Sequence, residues 1–278
     1  VYDVLEADNG DIWIATWSGA NRIAGGRLDD RSAWETFTVK NTGGGLPNDW
    51  VYGLAQGADG DLWLATEGGL ARYADGKWRN WKHEDGLGAP YDTVREQIQF
   101  SRDPGKESSH HARQKVEMGL TGVDVAYNPN YIVSLVVDEN GTVWCGTWGG
   151  GLARFDGEHW RNYTVADGLP DNHVFLLQRA QGGGLWVGTG HGLARFDGER
   201  FDVLTTHDGL YADTDWGKQV SAYSGEYDNF TPSWVFPKPK QGSIPVALGF
   251  AGPVGIQHAA DYADIWAPVD SALMRDGK

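Results

Sequence analysis

The sequence predicts an all-β fold, because short apolar runs recur at a regular spacing and are separated by glycine turns. Four tryptophans mark the recurrence: Trp13, Trp63, Trp144 and Trp186 lie 50, 81 and 42 positions apart, and 81 is close to twice 42. Each lies in a continuous apolar run such as Leu62 to Leu64, which is typical of a strand buried on both faces. A period of about 40 to 45 residues with four such runs is typical of a β-propeller blade.

One unit, residues 138–169, shows the repeated pattern most completely. It begins with Asp-x-x-Gly, continues with Trp-x-Gly-Thr, and ends with an aromatic pair and Asp-Gly-Leu. Residues 1–210 contain four such units, or five if residues 88–130 count as a blade. That number lies at the low end of those that close a ring, so an open or partial ring is an alternative to a closed one.

Residues 88–130 break the pattern, because they carry a polar stretch at 101–107 and lack the tryptophan motif. The composition of residues 107–118 favours a helix. We interpret the segment as a long, partly helical insertion, with a degenerate blade as the alternative. His110 and His111 are adjacent, and adjacent side chains on a helix point about 100° apart, which does not suit two ligands of one metal ion. We therefore predict that these histidines lie in a solvated polar loop rather than in a metal site.

Residues 211–278 have a different composition and predict a short α/β tail that forms a second domain. An apolar run at 244–248 is followed by a glycine turn and a helix with an apolar stripe that includes Ile256 and Ala260. We expect this helix to pack on the fourth unit, with a loose tail as the alternative.

Composition excludes several classes of partner. The formal net charge of −15 argues against nucleic acid and anionic membranes, which require clustered basic residues. No apolar run is long enough to insert into a membrane. The single cysteine, Cys145, fills a core slot that Ile14, Leu64 and Val187 occupy in the other units, so we predict a small core hydrophobe.

The segments from Gly168 to Val174 and from Leu185 to Leu193 resemble the two-component regulator propeller repeat, whose consensus they match almost position by position. The resemblance implies a sensory, ligand-binding, extracytoplasmic domain rather than an enzyme, and a periplasmic or extracellular location. No catalytic triad, phosphate loop or spaced set of metal ligands accompanies it.

Strand parity predicts the ligand-binding face. The turns between second and third strands and the links between units point the same way, and they carry aromatic, amide and charged side chains that suit a saccharide or another small polar molecule. The predicted ligand-binding residues are Trp17, Trp50, Glu67, Trp148, Asn172, His173 and His191. The alternatives are that Trp17 and Trp148 cover a blade edge, and that Asp171 and Asn172 cap their own turn.

The tail resembles a fragment of the luciferase-like monooxygenases through Tyr223 to Tyr227, Gly249 to Pro253 and Ala259 to Pro268. The resemblance implies FMN or F420 as cofactor, with Gly249, Ala251 and Gly252 at its phosphate, and hence an alternative function as an oxidoreductase. The tail alone is too short to close a barrel of that kind, so we interpret the chain as a junction of two unrelated pieces. We also expect self-association through open blade edges.

Overall fold

The computed structural model describes residues 1–98, 109–123 and 125–210, and four short strands further along. The chain divides into two compact units, Val1–Gln219 and Val220–Lys278. The first unit contains four antiparallel sheets of four strands each, which confirms the predicted all-β, propeller-type fold.

Each sheet is a meander in which four consecutive strands pair in order. The first sheet contains β1 (Asp3–Glu6), β2 (Ile12–Thr16), β3 (Gly19–Ile23) and β4 (Trp34–Phe37). The second contains β5 (Val51–Gln56), β6 (Leu62–Thr66), β7 (Gly69–Ala74) and β8 (Lys77–Trp81). The third contains β9 (Asn128–Val137), β10 (Val143–Trp148), β11 (Leu152–Phe155) and β12 (Trp160–Tyr163). The fourth contains β13 (Val174–Arg179), β14 (Leu185–Thr189), β15 (Gly192–Phe196) and β16 (Phe201–Leu204).

Glycine is required where the third strand begins. At Gly19 and Gly151 the backbone has positive φ, and an added Cβ would collide with the carbonyl oxygen of Phe37 or Tyr163 on the fourth strand. Only glycine allows that close approach without strain. The glycine at the start of the third strand therefore allows the third and fourth strands of a sheet to lie close together.

The four repeat tryptophans occupy the same place in every sheet, as predicted. Each is the second residue of the second strand, and Trp13, Trp63 and Trp144 are buried. Trp186 is only half-buried, although its apolar run is typical of a strand buried on both faces. Trp186 faces away from the third sheet, whereas its neighbours Leu185 and Val187 pack against the third sheet. Among the described residues, no further sheet covers Trp186.

The sheets stack face to face in chain order. One apolar cluster joins the first and second sheets, another the second and third, and a third cluster the third and fourth. Cys145 lies in the cluster between the second and third sheets, where burial raises the pKa of its thiol above the usual range. This cysteine packs as a small core side chain.

Between β8 and β9 the described residues form helices and turns rather than strands. A one-turn helix spans Tyr91–Val94, and a longer one, which we call the insertion helix, spans Ser109–Glu117. The side chains of His110 and His111 lie outside the described residues. Within the described part of the chain, no cluster of three or more metal-ligating side chains occurs, and no helix is long and apolar enough to span a membrane.

In the second unit the structure describes the backbone of two strand pairs. Tyr223–Ser224 pairs antiparallel with Asn229–Phe230, and Ala247–Leu248 pairs parallel with Ile265–Trp266. The predicted helix that includes Ile256 and Ala260 lies outside the described residues, and so does its expected packing on the fourth unit. The expected phosphate contacts also lie outside them, at Gly249, Ala251 and Gly252.

Candidate functional site

Turns and links meet on one face of the stack, which we call the link face. It is formed by the turns between the second and third strands of each sheet and by the links that join consecutive sheets. Backbone hydrogen bonds tie the two sets together: the Gly19 N–H donates to the Asp49 carbonyl at 2.6 Å, and the Gly151 N–H donates to the Asn172 carbonyl at 2.8 Å. The side chains that the sequence assigned to a ligand therefore lie on turns and links of one face.

The insertion covers part of the link face. The Ala89 N–H donates to the Gly150 carbonyl at 2.8 Å, and the Tyr127 hydroxyl donates to the Ala89 carbonyl at 2.7 Å. Near the end of the second sheet, the His83 N–H donates to Asn130 Oδ1 at 2.6 Å. These bonds fix both ends of the insertion to the propeller unit.

Asp171, His173 and His191 form a buried group in the link before the fourth sheet. His173 Nδ1 lies 3.0 Å from Asp171 Oδ1 and its Nε2 lies 2.8 Å from the Ala126 carbonyl, while His191 Nδ1 contacts the second Asp171 oxygen. Both ring nitrogens of His173 therefore face an oxygen acceptor. Burial raises the pKa of the Asp171 carboxyl, but the hydrogen bonds from His173 and His191 outweigh it and hold that pKa at about 2.

Asn172 also contacts the insertion. Its Oδ1 accepts from the Val165 N–H at 3.0 Å, and its Nδ2 donates to Gln97 Oε1 at 3.3 Å. Asn172 and His173 are both fully buried. A ligand can therefore reach these two predicted binding residues only if the insertion moves. In the structure both residues bond to the insertion and hold it in place.

Glu67 lies beside the insertion helix. Its Oε2 accepts from Gln114 Nε2 at 3.3 Å, and Gln114 Oε1 accepts from Asn128 Nδ2 at 3.0 Å. A cavity of about 310 Å³ opens next to this chain of bonds, and its wall combines Asn48 of a link, Glu67 of a turn, and Lys82 at the end of the second sheet. That volume lies at the lower end of small-molecule sites. We call this space the link-face cavity.

Aromatic side chains that sequence reasoning did not identify gather at the starts of the innermost strands. Tyr52 and Phe175 lie at register shifts of β5 and β13, where a β-bulge redirects the side chain. The Tyr52 ring centroid lies 4.8 Å from that of Tyr2 and 5.0 Å from that of Tyr131. The recurring pairs Val1-Tyr2, Val51-Tyr52 and Val174-Phe175 are the signal that could have indicated this group.

Two tyrosine hydroxyls of this group, those of Tyr52 and Tyr131, are held in the neutral form. Burial, followed by the neighbouring Tyr131 and Glu67, raises the pKa of Tyr52 far above its usual range. Burial likewise raises the pKa of Tyr131 to about 12. Both phenols keep their protons near neutral pH and can donate hydrogen bonds.

The three predicted tryptophans have different surroundings. The Trp148 ring stacks on Tyr131 with 5.3 Å between centroids and 9° between planes, and it meets the His173 ring edge-on at 5.5 Å. The Trp50 ring lies 6.4 Å from Tyr52. Trp17, in the turn of the first sheet, is 64% exposed. The structure thus brings Trp50 and Trp148 into the aromatic group, whereas Trp17 projects from the first sheet.

A larger cleft, which the sequence did not predict, lies on the opposite face among the first hairpins of all four sheets. Its volume is about 1460 Å³, and its wall includes Asp8, Gln56, Asp138 and Arg179. Asp138 has a structural role there, because its Oδ2 accepts from the Trp144 indole N–H at 3.0 Å. The cleft is open and is lined by side chains of opposite charge.

Two segments, residues 45–68 and 126–149, match the family model described as two component regulator propeller. Each segment runs into a sheet and through its first two strands. Both segments thus match the two component regulator propeller repeat. They correspond to the second and third sheets, whose link face carries the cavity and most of the aromatic group.

Solved structures share the propeller fold. The extracellular domain of the hybrid two component system BT3049 from B. thetaiotaomicron superposes with a TM-score of 0.54 at 19% identity, covering 77% of this chain and 24% of that one. The corresponding domain of BT4673 gives a TM-score of 0.51 at 17% identity, covering 81% of this chain and 27% of that one. The chain spans about a quarter of either structure, and at this identity the likeness concerns the fold alone.

A short stretch also matches curated proteins. Over 37 residues the chain is 49% identical to the uncharacterized protein Rv0953c of Mycobacterium tuberculosis, and the match covers 13% of each chain. A counterpart in Mycobacterium bovis, Mb0978c, gives the same values. The chain therefore spans about 13% of the length of these relatives.

Proposed function

We propose that the propeller unit is a non-enzymatic, sensor-type domain that binds a saccharide or another small polar molecule in the link-face cavity. The observation that carries the proposal is the composition of the cavity wall, in which a link, a turn and the insertion helix each contribute a polar side chain: Asn48, Glu67 and Gln114. Three separate elements converge on one space of small-molecule size. Extracellular domains of two component systems among the similar structures support a location outside the cytoplasm.

The wall chemistry favours a ligand rich in hydroxyl groups. Carboxylate and amide oxygens accept hydrogen bonds and amide nitrogens donate them, so Asn48, Glu84 and Glu117 can bind paired hydroxyls. Glu67 and Gln114 are buried and hydrogen-bonded to each other, so they shape the wall. Among the described residues that line the cavity, Pro47 and Met118 offer apolar contact to a ligand. Trp17 and Trp148 are not among these lining residues.

Charge narrows the choice of ligand further. The described wall carries three carboxylates and one lysine: Glu67, Glu84, Glu117 and Lys82. A site with excess negative charge disfavours anionic sugars, because their carboxylate or sulfate would face like charge with little screening. We therefore propose neutral sugars and amino sugars as the ligand class.

Calorimetric titration of the full chain with neutral, amino and acidic mono- and disaccharides tests the proposal. We expect saturable binding of at least one neutral or amino sugar, and a loss of affinity of about tenfold or more in Asn48→Ala, as for removal of a hydrogen bond to a buried group. Glu139→Gln, which changes an exposed carboxylate in the opposite cleft, is the matched control and should bind normally. If no sugar binds, or if both variants lose affinity equally, the proposal is wrong.

The oxidoreductase alternative is tested in the same samples. Titration with FMN and with F420, followed by cofactor fluorescence, distinguishes the two functions, because only the alternative requires a cofactor. Saturable micromolar binding of either cofactor would favour the oxidoreductase over the sensor.

A further inference from the structure

The three junctions between sheets follow one packing rule. The central tryptophan of each sheet contacts an aromatic residue on the third strand of the next sheet: Trp13 lies 5.4 Å from Tyr73, and Trp144 lies 5.6 Å from Phe196, measured between ring centroids. Trp63 meets Phe155 in the same way at 6.3 Å. Each sheet therefore has a tryptophan face directed toward the following sheet and a receiving face directed toward the preceding one.

The fourth sheet presents a tryptophan face without a following sheet among the described residues. Trp186 holds the same strand position as the other three and is half-buried. Leu176, on the neighbouring strand and on the same side of the sheet, is 55% exposed. Both side chains point away from the apolar cluster that joins the third and fourth sheets.

The first sheet presents the matching receiving face. Ile23 pairs with Ile12 in the register in which Tyr73 pairs with Leu62, so this side of the first sheet is the receiving side. Ile23 itself is buried within its own chain, whereas Ile12 and Ile14 on the same side are half-buried. Val4, which pairs with Ile14 on the same side, is 57% exposed. The first and fourth sheets thus carry the two halves of the junction that joins the sheets within the stack.

We propose that a second copy of this chain occupies both faces, so that the fourth sheet of each copy packs on the first sheet of the other. The occupant follows from continuity with the internal junctions, because one chain supplies both complementary halves. Two reciprocal contacts close a two-fold dimer of eight sheets, a number within the range of closed propellers. Burial of apolar side chains such as Leu176 and Val4 supplies the driving force.

Analytical ultracentrifugation of the full chain, with Val4→Asp and Leu176→Asp as variants, tests the dimer. Because each change adds a charge to one half of the junction, we expect the wild type to be dimeric and both variants to be monomeric. Val116→Asp, which alters an apolar residue of the insertion helix that is 61% exposed, is the matched control and should remain dimeric. Circular dichroism verifies that the variants fold, as expected for exposed positions.

Mixing the two variants separates this arrangement from other dimers. The Val4→Asp chain retains an intact fourth sheet and the Leu176→Asp chain an intact first sheet, so the mixture should form heterodimers through one restored junction. A wild type that is monomeric or forms open-ended polymers overturns the proposal. So does a mixture that stays monomeric, because the junction would then not join a first sheet to a fourth.

Discussion

Asp171 carries its charge in a site that protein surrounds, and its two oxygens contact His173 and His191. The folded-state pKa of about 2 lies below the ordinary value of 3.8. A carboxyl with a depressed pKa stabilises the fold above its unfolded-state pKa, and this stabilisation is lost as the pH falls through the folded-state value. Acid should therefore weaken the attachment of the insertion at this link.

We predict that the free energy of unfolding falls by about 2 kcal/mol through this carboxyl alone between pH 5 and pH 2. Asp171→Asn should remove that part of the pH dependence and lower stability at pH 7, because the buried His173 then loses its carboxylate hydrogen-bond partner. Urea unfolding followed by tryptophan fluorescence at several pH values measures both effects. Glu139→Gln serves as the control, and an unchanged acid slope in Asp171→Asn would contradict the assignment.

At the scale of the element, equivalent residues of different sheets contribute different amounts to the free energy of unfolding, because the sheets that cover them differ. Trp63 is buried between the second and third sheets, with its ring 5.4 Å from Trp81 and 6.3 Å from Phe155. Trp186 has the same strand position but lies on the outer face of the fourth sheet. The repeat fixes the position of a side chain, whereas the adjacent sheet determines how far it is buried.

We predict that Trp63→Ala lowers the free energy of unfolding by about 3–5 kcal/mol, the usual loss for a large buried side chain. Trp186→Ala should cost about 1–2 kcal/mol, because the half-buried ring removes less apolar surface from water. Urea unfolding at a protein concentration low enough to keep the chain monomeric gives both values. Equal losses in the two variants would show that the outer face of the fourth sheet is covered within the chain.

Local pattern predicted the strands and the place of each tryptophan, because strand periodicity and glycine turns are encoded within a few residues. The burial of Asn172 and His173 depends on contacts with Gln97 and Ala126, which lie 75 and 47 positions away along the chain. No pattern within one unit specifies such contacts. The position of Tyr52 in the aromatic group depends on a bulge, which alters the alternation that a sequence pattern assumes.

At the scale of the whole molecule, net charge opposes the association of two copies. Each chain has a formal charge of −15, so two chains repel each other at long range. The proposed contact faces carry the apolar side chains Leu176 and Val4, whose contribution to binding changes little with salt, and Gln178 and Arg195 flank Trp186. Charge and apolar burial therefore act in opposite directions on the proposed dimer.

We predict that the dimer becomes tighter as ionic strength rises, by several-fold between about 20 mM and about 300 mM salt, because the screening length falls from more than 20 Å to below 10 Å. Sedimentation equilibrium at a series of sodium chloride concentrations measures the change. The Val4→Asp variant is the control, since it should remain monomeric at every concentration. A dimer that weakens with salt would instead indicate an interface held by ion pairs, such as one between Glu6 of the first sheet and Arg195 of the fourth.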